Sequence, residues 1–148
     1  MLTMRTRYAL RSLIHIAKEN SNEHPVSAAS ISQAQSIPLK FLEAILHDLK
    51  RSGFVTSRKG IHGGYTLSQE PDKIMLADVI RTINGPIALV PCVSLNFYEA
   101  CSICPDESKC SLHHVMVDVR DATLAILDST SLKQLVDREK KFAKVRKR

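Results

Sequence analysis

Residues 27–67 read SAASISQAQSIPLKFLEAILHDLKRSGFVTSRKGIHGGYTL, and this stretch decides the fold. Ser27 carries a short side-chain oxygen suited to the unpaired amides at a helix start, and a short helix through Ala29, Ile31 and Ala34 follows it. Gln35-Ser36-Ile37 then turns the chain into Pro38, which suits the first helical position because its missing N–H would have no partner there. The next helix places Leu42, Ile45, Leu46 and Leu49 on one face and stops at Gly53. Phe54 to Arg58 reads as a strand, Tyr65-Thr66-Leu67 as a second, and the glycine-rich segment Lys59 to Gly64 as the hairpin tip between them. Helix, turn, helix and hairpin make a winged helix-turn-helix, in which the second helix enters the major groove of DNA.

Working outward, Leu10, Leu13, Ile14 and Ala17 recur at helical spacing between Thr6 and Glu19, so an amphipathic helix precedes the motif and ends before the polar run Asn20 to His24. On the other side, Leu76, Val79, Ile80 and Ile83 give a helix that stops at Asn84-Gly85-Pro86. Residues 86–110 have no periodicity and hold every cysteine. From Ser111 to Asp128, the positions Leu112, Val115, Met116, Val119, Ala122 and Ile126 keep helical spacing over about five turns. A short helix over Ser131 to Arg138 then leads into a basic tail, Lys140 to Arg148. The expected class is mainly α with a small β-hairpin. A winged helix-turn-helix domain occupies 1–85, a cysteine-rich loop 86–110, and a long dimerisation helix with a basic tail 111–148. The apolar stripe of that long helix exceeds what a small winged domain can cover, so a second copy is expected against it.

The 148 residues suffice for one domain with a real core. Lys plus Arg number 21 against 15 Asp plus Glu, a net +6. The charge is uneven, +5 over residues 1–60, −3 over 61–120 and +4 over 121–148, which suggests that one part meets a polyanion and another does something else. No run approaches the roughly 18 apolar residues of a membrane helix. The start Met1-Leu2-Thr3-Met4-Arg5 lacks the apolar stretch of a signal peptide, so a cytoplasmic protein with no membrane partner is expected.

On the second helix of the pair, the positions turned away from the apolar face are Leu39, Lys40, Glu43, Ala44 and His47. Lys40 can reach a phosphate or a guanine edge, and Glu43 can accept from the cytosine amino group. In the hairpin, Arg58, Lys59 and His62 flank glycines, Gly63 among them, that would let the backbone approach a phosphate or the minor groove. The alternative from another class is a metal or redox module that does not bind DNA.

Cys92, Cys101, Cys104 and Cys110 are separated by eight, two and five residues. The pair Cys101-Ser-Ile-Cys104 has the chelate spacing of zinc and iron-sulfur loops, and Cys110 stands at the start of the long helix, where the dipole favours a thiolate. Three uses are open: an iron-sulfur cluster, a structural zinc, or a thiol switch that closes a Cys101–Cys104 disulfide. His113 and His114 follow Cys110 by three and four residues, so either could ligate from the first helical turn. No Ser-His-acid arrangement or nucleophile turn accompanies the cysteines, so nothing here points to an enzyme.

With these residues in view, the chain resembles the Rrf-two family of regulators over nearly its whole length, from Tyr8-Ala9-Leu10 through Leu127. The most specific matches are Phe41-Leu42-Glu43 with Leu46 and Leu49, Ser52-Gly53-Phe54-Val55, Arg58-Lys59-Gly60 with Gly63-Gly64-Tyr65, Ala77-Asp78-Val79-Ile80, and the Cys104-Pro105 to Cys110 spacing. The resemblance implies a homodimeric transcription regulator, a repressor, that binds a palindromic operator in double-stranded DNA, with the long helix crossing its partner's copy. It also implies an iron-sulfur cluster, 2Fe-2S or 4Fe-4S, that senses iron, oxygen, nitric oxide or redox state. In cluster-bearing relatives three cysteines hold the cluster and a fourth ligand varies; Cys92, Cys104 and Cys110 match that trio by order and context. The gap from Cys92 to Cys104 is longer here and Cys101 is extra, so Cys101 either replaces the variable ligand or is a spare thiol. Some members carry no cluster, which keeps zinc, or no cofactor, as the alternative.

Overall fold

The computed structural model describes residues 2–19 and 24–145. The first helix, α1 (Met4–Glu19), buries Thr6, Ala9, Ser12, Leu13 and Ile16. The expected stripe of Leu10, Leu13, Ile14 and Ala17 is therefore rotated, and only Leu13 of that set is fully buried while the others pack at the core's edge. Hydropathy missed the true face because two of its members are polar. Ser12 satisfies its hydroxyl on the Tyr8 carbonyl at 2.8 Å and Thr6 donates to Asn84 Oδ1 at 3.2 Å, so both are buried with their hydrogen bonds made. Of the polar run Asn20 to His24, residues 20–23 lie outside the described residues.

In α2 (Ala28–Gln35) Ser27 caps the helix as expected, its side-chain oxygen accepting from the Ser30 N–H at 3.1 Å. Ser36 ends it in the left-handed region, φ 53°, and Ser32 Oγ donates to the Ile37 carbonyl at 2.6 Å, which locks the turn. Pro38 sits one position earlier than expected, as the cap of α3 (Leu39–Arg51). Its ψ of 128° keeps it out of the helix while its carbonyl already accepts from the Leu42 N–H at 3.0 Å. Leu42, Ile45, Leu46 and Leu49 are buried. The chain then enters β1 (Val55–Arg58), antiparallel to β2 (Gly64–Leu67) from Val55 opposite Leu67 to Arg58 opposite Gly64. Val26 adds a short third edge by exchanging hydrogen bonds of 2.9 and 2.8 Å with Tyr65. That contact decides Gly64, since a Cβ there would stand 2.5 Å from the Val26 carbonyl oxygen.

Helix α4 (Leu76–Asn84) packs on α1, and its Asn84 side chain accepts from the Thr3 N–H at 3.1 Å. Residues 86–110 hold only two short 3-10 turns, Pro91–Val93 and Glu107–Lys109. Helix α5 (Ser111–Asp128) matches its expected span and buries none of its residues. The last helix, α6 (Leu132–Val145), runs well past the expected end at Arg138, because Glu139, Lys140, Lys141 and Ala143 are good helix formers and not a tail. It returns to the winged body, burying Leu132 and Val136 and pairing Glu139 with Lys18 of α1. Residues 146–148 lie outside the described residues, and among the described residues no helix is long and apolar enough to cross a membrane.

Candidate functional site

Helix α3 exposes Leu39, Lys40, Glu43 and His47, all four expected there. The helix is fixed on both sides. Arg5 of α1 pairs with Asp48, and Lys50 Nζ donates to Ser57 Oγ of β1 at 2.6 Å, which ties α3 to α1 on one side and to the hairpin on the other. At the hairpin end Arg58, Lys59 and His62 are exposed. Gly63 has a reason internal to the turn: a Cβ would stand 2.3 Å from the Arg58 carbonyl oxygen, so glycine is required whether or not DNA approaches. Two apolar side chains were given no contact role from the sequence. Ile61 is 100 % exposed at the hairpin tip and Phe41 is 67 % exposed on α3. An isoleucine that follows Gly60 in a tight tip has no core to reach, and that much was readable. Such a side chain suits a thymine methyl or a minor-groove step.

The four cysteines converge. Cys92, Cys101, Cys104 and Cys110 line one cavity of about 460 Å³, together with Glu107 and His113. The Cys104 thiol hydrogen-bonds to Cys110 and to Cys101; chiefly the first of these pushes it up to about 11. Cys110 goes the other way, held below its ordinary value first by the His113 N–H, which donates to its sulfur at 3.4 Å, and then by Cys104. Desolvation pushes Cys92 up, with the Glu107 carboxylate adding to it. Cys110 is thus the best nucleophile of these three. In cofactor-free protein at neutral pH, iodoacetamide should label Cys110 ahead of Cys104 and Cys92, read by peptide mass spectrometry; equal labelling would contradict the Cys104–Cys110 pairing.

The two histidines separate clearly. His114 Nε2 is bonded to the Ser108 carbonyl at 2.8 Å, whereas His113 lines the cavity with Nδ1 buried and without a hydrogen-bond partner. Among the described residues, no group of three or more His, Cys, Asp or Glu side chains stands close enough together to hold a metal ion as placed. The donor set nevertheless fits a thiophilic group, with four thiols and one orphaned imidazole nitrogen around a single space. Cys110 is also the cap of α5, and Arg120 of α5 donates to the Val93 carbonyl at 2.6 Å, so the cavity wall and the long helix are tied at two points.

A winged body beside a thiol-lined loop and a long uncovered helix is a regulator's architecture, and the comparisons with known proteins agree. A family model described as Rrf2, iron-dependent transcriptional regulator, matches residues 2–138. The chain belongs to the Rrf2 family. An rrf2-like HTH-type transcriptional regulator of Rhodobacter capsulatus is 35% identical over 138 residues, 92% of each chain. IscR of Photorhabdus laumondii, an HTH-type transcriptional regulator, is 31% identical over 93% of this chain and 80% of its own. The solved structure of CymR, the global cysteine regulator of B. subtilis, superposes with a TM-score of 0.76 at 33% identity, covering 93% of this chain and 97% of that one. This Rrf2 protein is accordingly a DNA-binding transcription regulator of the winged-helix type, and its relatives are regulators and not enzymes.

Proposed function

We propose that the protein is a homodimeric repressor whose α3 helices and wings read a palindromic operator, and whose thiol cavity holds an iron-sulfur cluster that sets operator affinity. The observation that carries this reading is the position of the cavity: four thiols meet where the loop becomes α5. Cys92, Cys104, Cys110 and a fourth donor would hold the cluster. It would supply a group altered by iron supply, oxygen or nitric oxide. One observation favours a second reading, a cluster-free thiol switch: Cys104 lines the same cavity as Cys101 and Cys110, and both neighbours raise its thiol pKa. An anaerobic absorption spectrum with iron, sulfide and zinc analysis separates them. A brown protein with stoichiometric iron and sulfide supports the cluster, and a colourless one with free thiols supports the switch.

For DNA, Lys40, Glu43, Leu39 and His47 are assigned to base edges, and Arg58, Lys59, His62 and the Gly63 backbone to the phosphates or minor groove. Glu43→Ala should change base preference at one operator position by about 1–3 kcal/mol. Lys59→Ala should weaken every sequence alike and lower the salt slope by about one. Titrations on operator and random duplexes at several salt concentrations check this. Equal losses for both variants on both duplexes would contradict the division of labour.

A further inference from the structure

Glu107 is out of place by simple electrostatics. It puts a carboxylate on the wall of a cavity lined by four thiols, where like charge opposes their ionisation. Its backbone is nonetheless held firmly there. Asp106 caps the 3-10 turn by accepting from the Ser108 N–H at 3.1 Å and the Ser108 hydroxyl at 2.5 Å, and it pairs with Lys109 at 2.9 Å. The Glu107 carbonyl accepts from the Cys110 N–H at 3.1 Å. The side chain is only 23 % exposed, and its carboxylate collects two donors: the Cys101 N–H at 3.2 Å and the Tyr98 hydroxyl at 3.2 and 3.3 Å.

The Cys101 turn needs that anchor. Its other backbone bond is a long one, from the Cys104 N–H to the Cys101 carbonyl at 3.4 Å, and Ile103 beside it is 88 % exposed. His113 has the opposite situation. Its Nδ1 is buried without a hydrogen-bond partner, 3.9 Å from the same carboxylate and beyond hydrogen-bond range, and the residue lines the cavity. Two donors thus compete for one position beside Cys92, Cys104 and Cys110. Glu107 holds the backbone of one and leaves the ring of the other free.

We propose that Glu107 is the positioning residue that makes Cys101, and not His113, the fourth ligand of the thiol cavity. The proposal rests on the reading that this cavity holds an iron-sulfur cluster. Soft iron-sulfur centres prefer thiolate, so a Cys101 held in place wins the position. With the anchor gone, the Cys101 turn is free to leave and the imidazole replaces it.

The test is anaerobic reconstitution of the full chain with ferrous iron and sulfide, followed by iron analysis and pulsed EPR of the reduced protein. The wild type should load fully and show no histidine nitrogen coupling. Glu107→Ala should stay loaded and acquire that coupling, and adding His113→Ala should abolish it. Glu107→Gln keeps an acceptor oxygen for Cys101 and should behave as the wild type. Nitrogen coupling in the wild type, no coupling in loaded Glu107→Ala, or loss of iron from a folded Glu107→Ala would each overturn the proposal and leave the cluster reading standing. If Glu107→Ala does not fold, Tyr98→Phe is read the same way, since it frees one constraint on the carboxylate: a fraction of nitrogen-ligated centres supports the proposal and none overturns it. A wild type that takes up no iron overturns the cluster reading and this assignment with it.

Discussion

Val119→Asp should yield monomers and abolish binding to a two-half-site operator. The reasoning starts from spacing. Leu112, Val115, Val119, Ala122 and Ile126 recur in alternating steps of three and four, the seam of a paired helix, over an element about 27 Å long. None of the α5 residues is buried, and along this seam Leu112 is 60 %, Val115 53 % and Ile126 66 % exposed. A stripe of that size left in water invites a second copy. In a symmetric pair the same substitution enters the interface twice. Each unpaired carboxylate costs about 3 kcal/mol once buried, so two cost about 6, roughly four powers of ten in the dimerisation constant. Val119 is 37 % exposed in the single chain, which leaves the Asp hydrated there and the winged body folded. Sedimentation at micromolar concentration should show wild-type dimers and variant monomers. Affinity for an isolated half-site should be unchanged. A wild-type monomer, or a variant that still binds the full operator, would refute the assignment.

The DNA-reading part was legible because every level of the sequence pointed the same way. The Ser27 cap, the i, i+3, i+4, i+7 set from Leu42 to Leu49, the Gly53 stop and the β-branched strand each demand what the neighbouring element supplies. Helix α1 was legible as a helix and misread as a surface, since burial there depends on Thr6 and Ser12 finding partners in α4 and in their own backbone. The end of α6 was misread for a similar reason: a run of lysines looks like a tail until Glu139 is seen against Lys18. In the loop the ligand types were readable and their arrangement was not. Nothing in the spacing of eight, two and five said that all four thiols would share a wall, that His113 and not His114 would join them, or that Glu107 would hold the Cys101 amide. A segment without periodicity carries no rule that converts sequence distance into spatial distance; the local traces were the Cys101-Ser-Ile-Cys104 spacing and the turn chemistry of Asp106 and Ser108.

Cys104→Ala should remove the cofactor, leave the dimer intact, and change operator affinity at least about tenfold relative to the loaded wild type, with random DNA unaffected. Cys104 lines the cavity with Cys101 and Cys110 and is one of the three thiols assigned to the cluster, so its loss removes a ligand. The proposed dimer seam runs along α5 from Leu112, which itself lines the cavity, to Ile126, and Cys104 lies outside that helix. What the loop can move follows from its attachments. Cys110 caps α5 through the His113 N–H, Arg120 holds the Val93 carbonyl, and at the other end Asp128 pairs with Arg81 of α4 at 3.1 Å. A rearranged loop therefore pulls on a helix that is anchored to the winged body at its far end. Two α3 helices must stand about one DNA turn, roughly 34 Å, apart to meet both half-sites, so small changes at this lever are read directly as operator affinity. The requirement in energy is modest: tenfold is about 1.4 kcal/mol, shared between two identical chains, and ordering or releasing a loop supplies that much. The comparison must be made on folded, dimeric protein, with operator and random duplexes at one salt concentration. Equal affinities of the loaded wild type and the cofactor-free variant would make the loop a structural clamp. A loss confined to the operator would make it the sensing element, since charge-driven contacts to the phosphates would then be shown to survive while the spacing of the two reading helices did not.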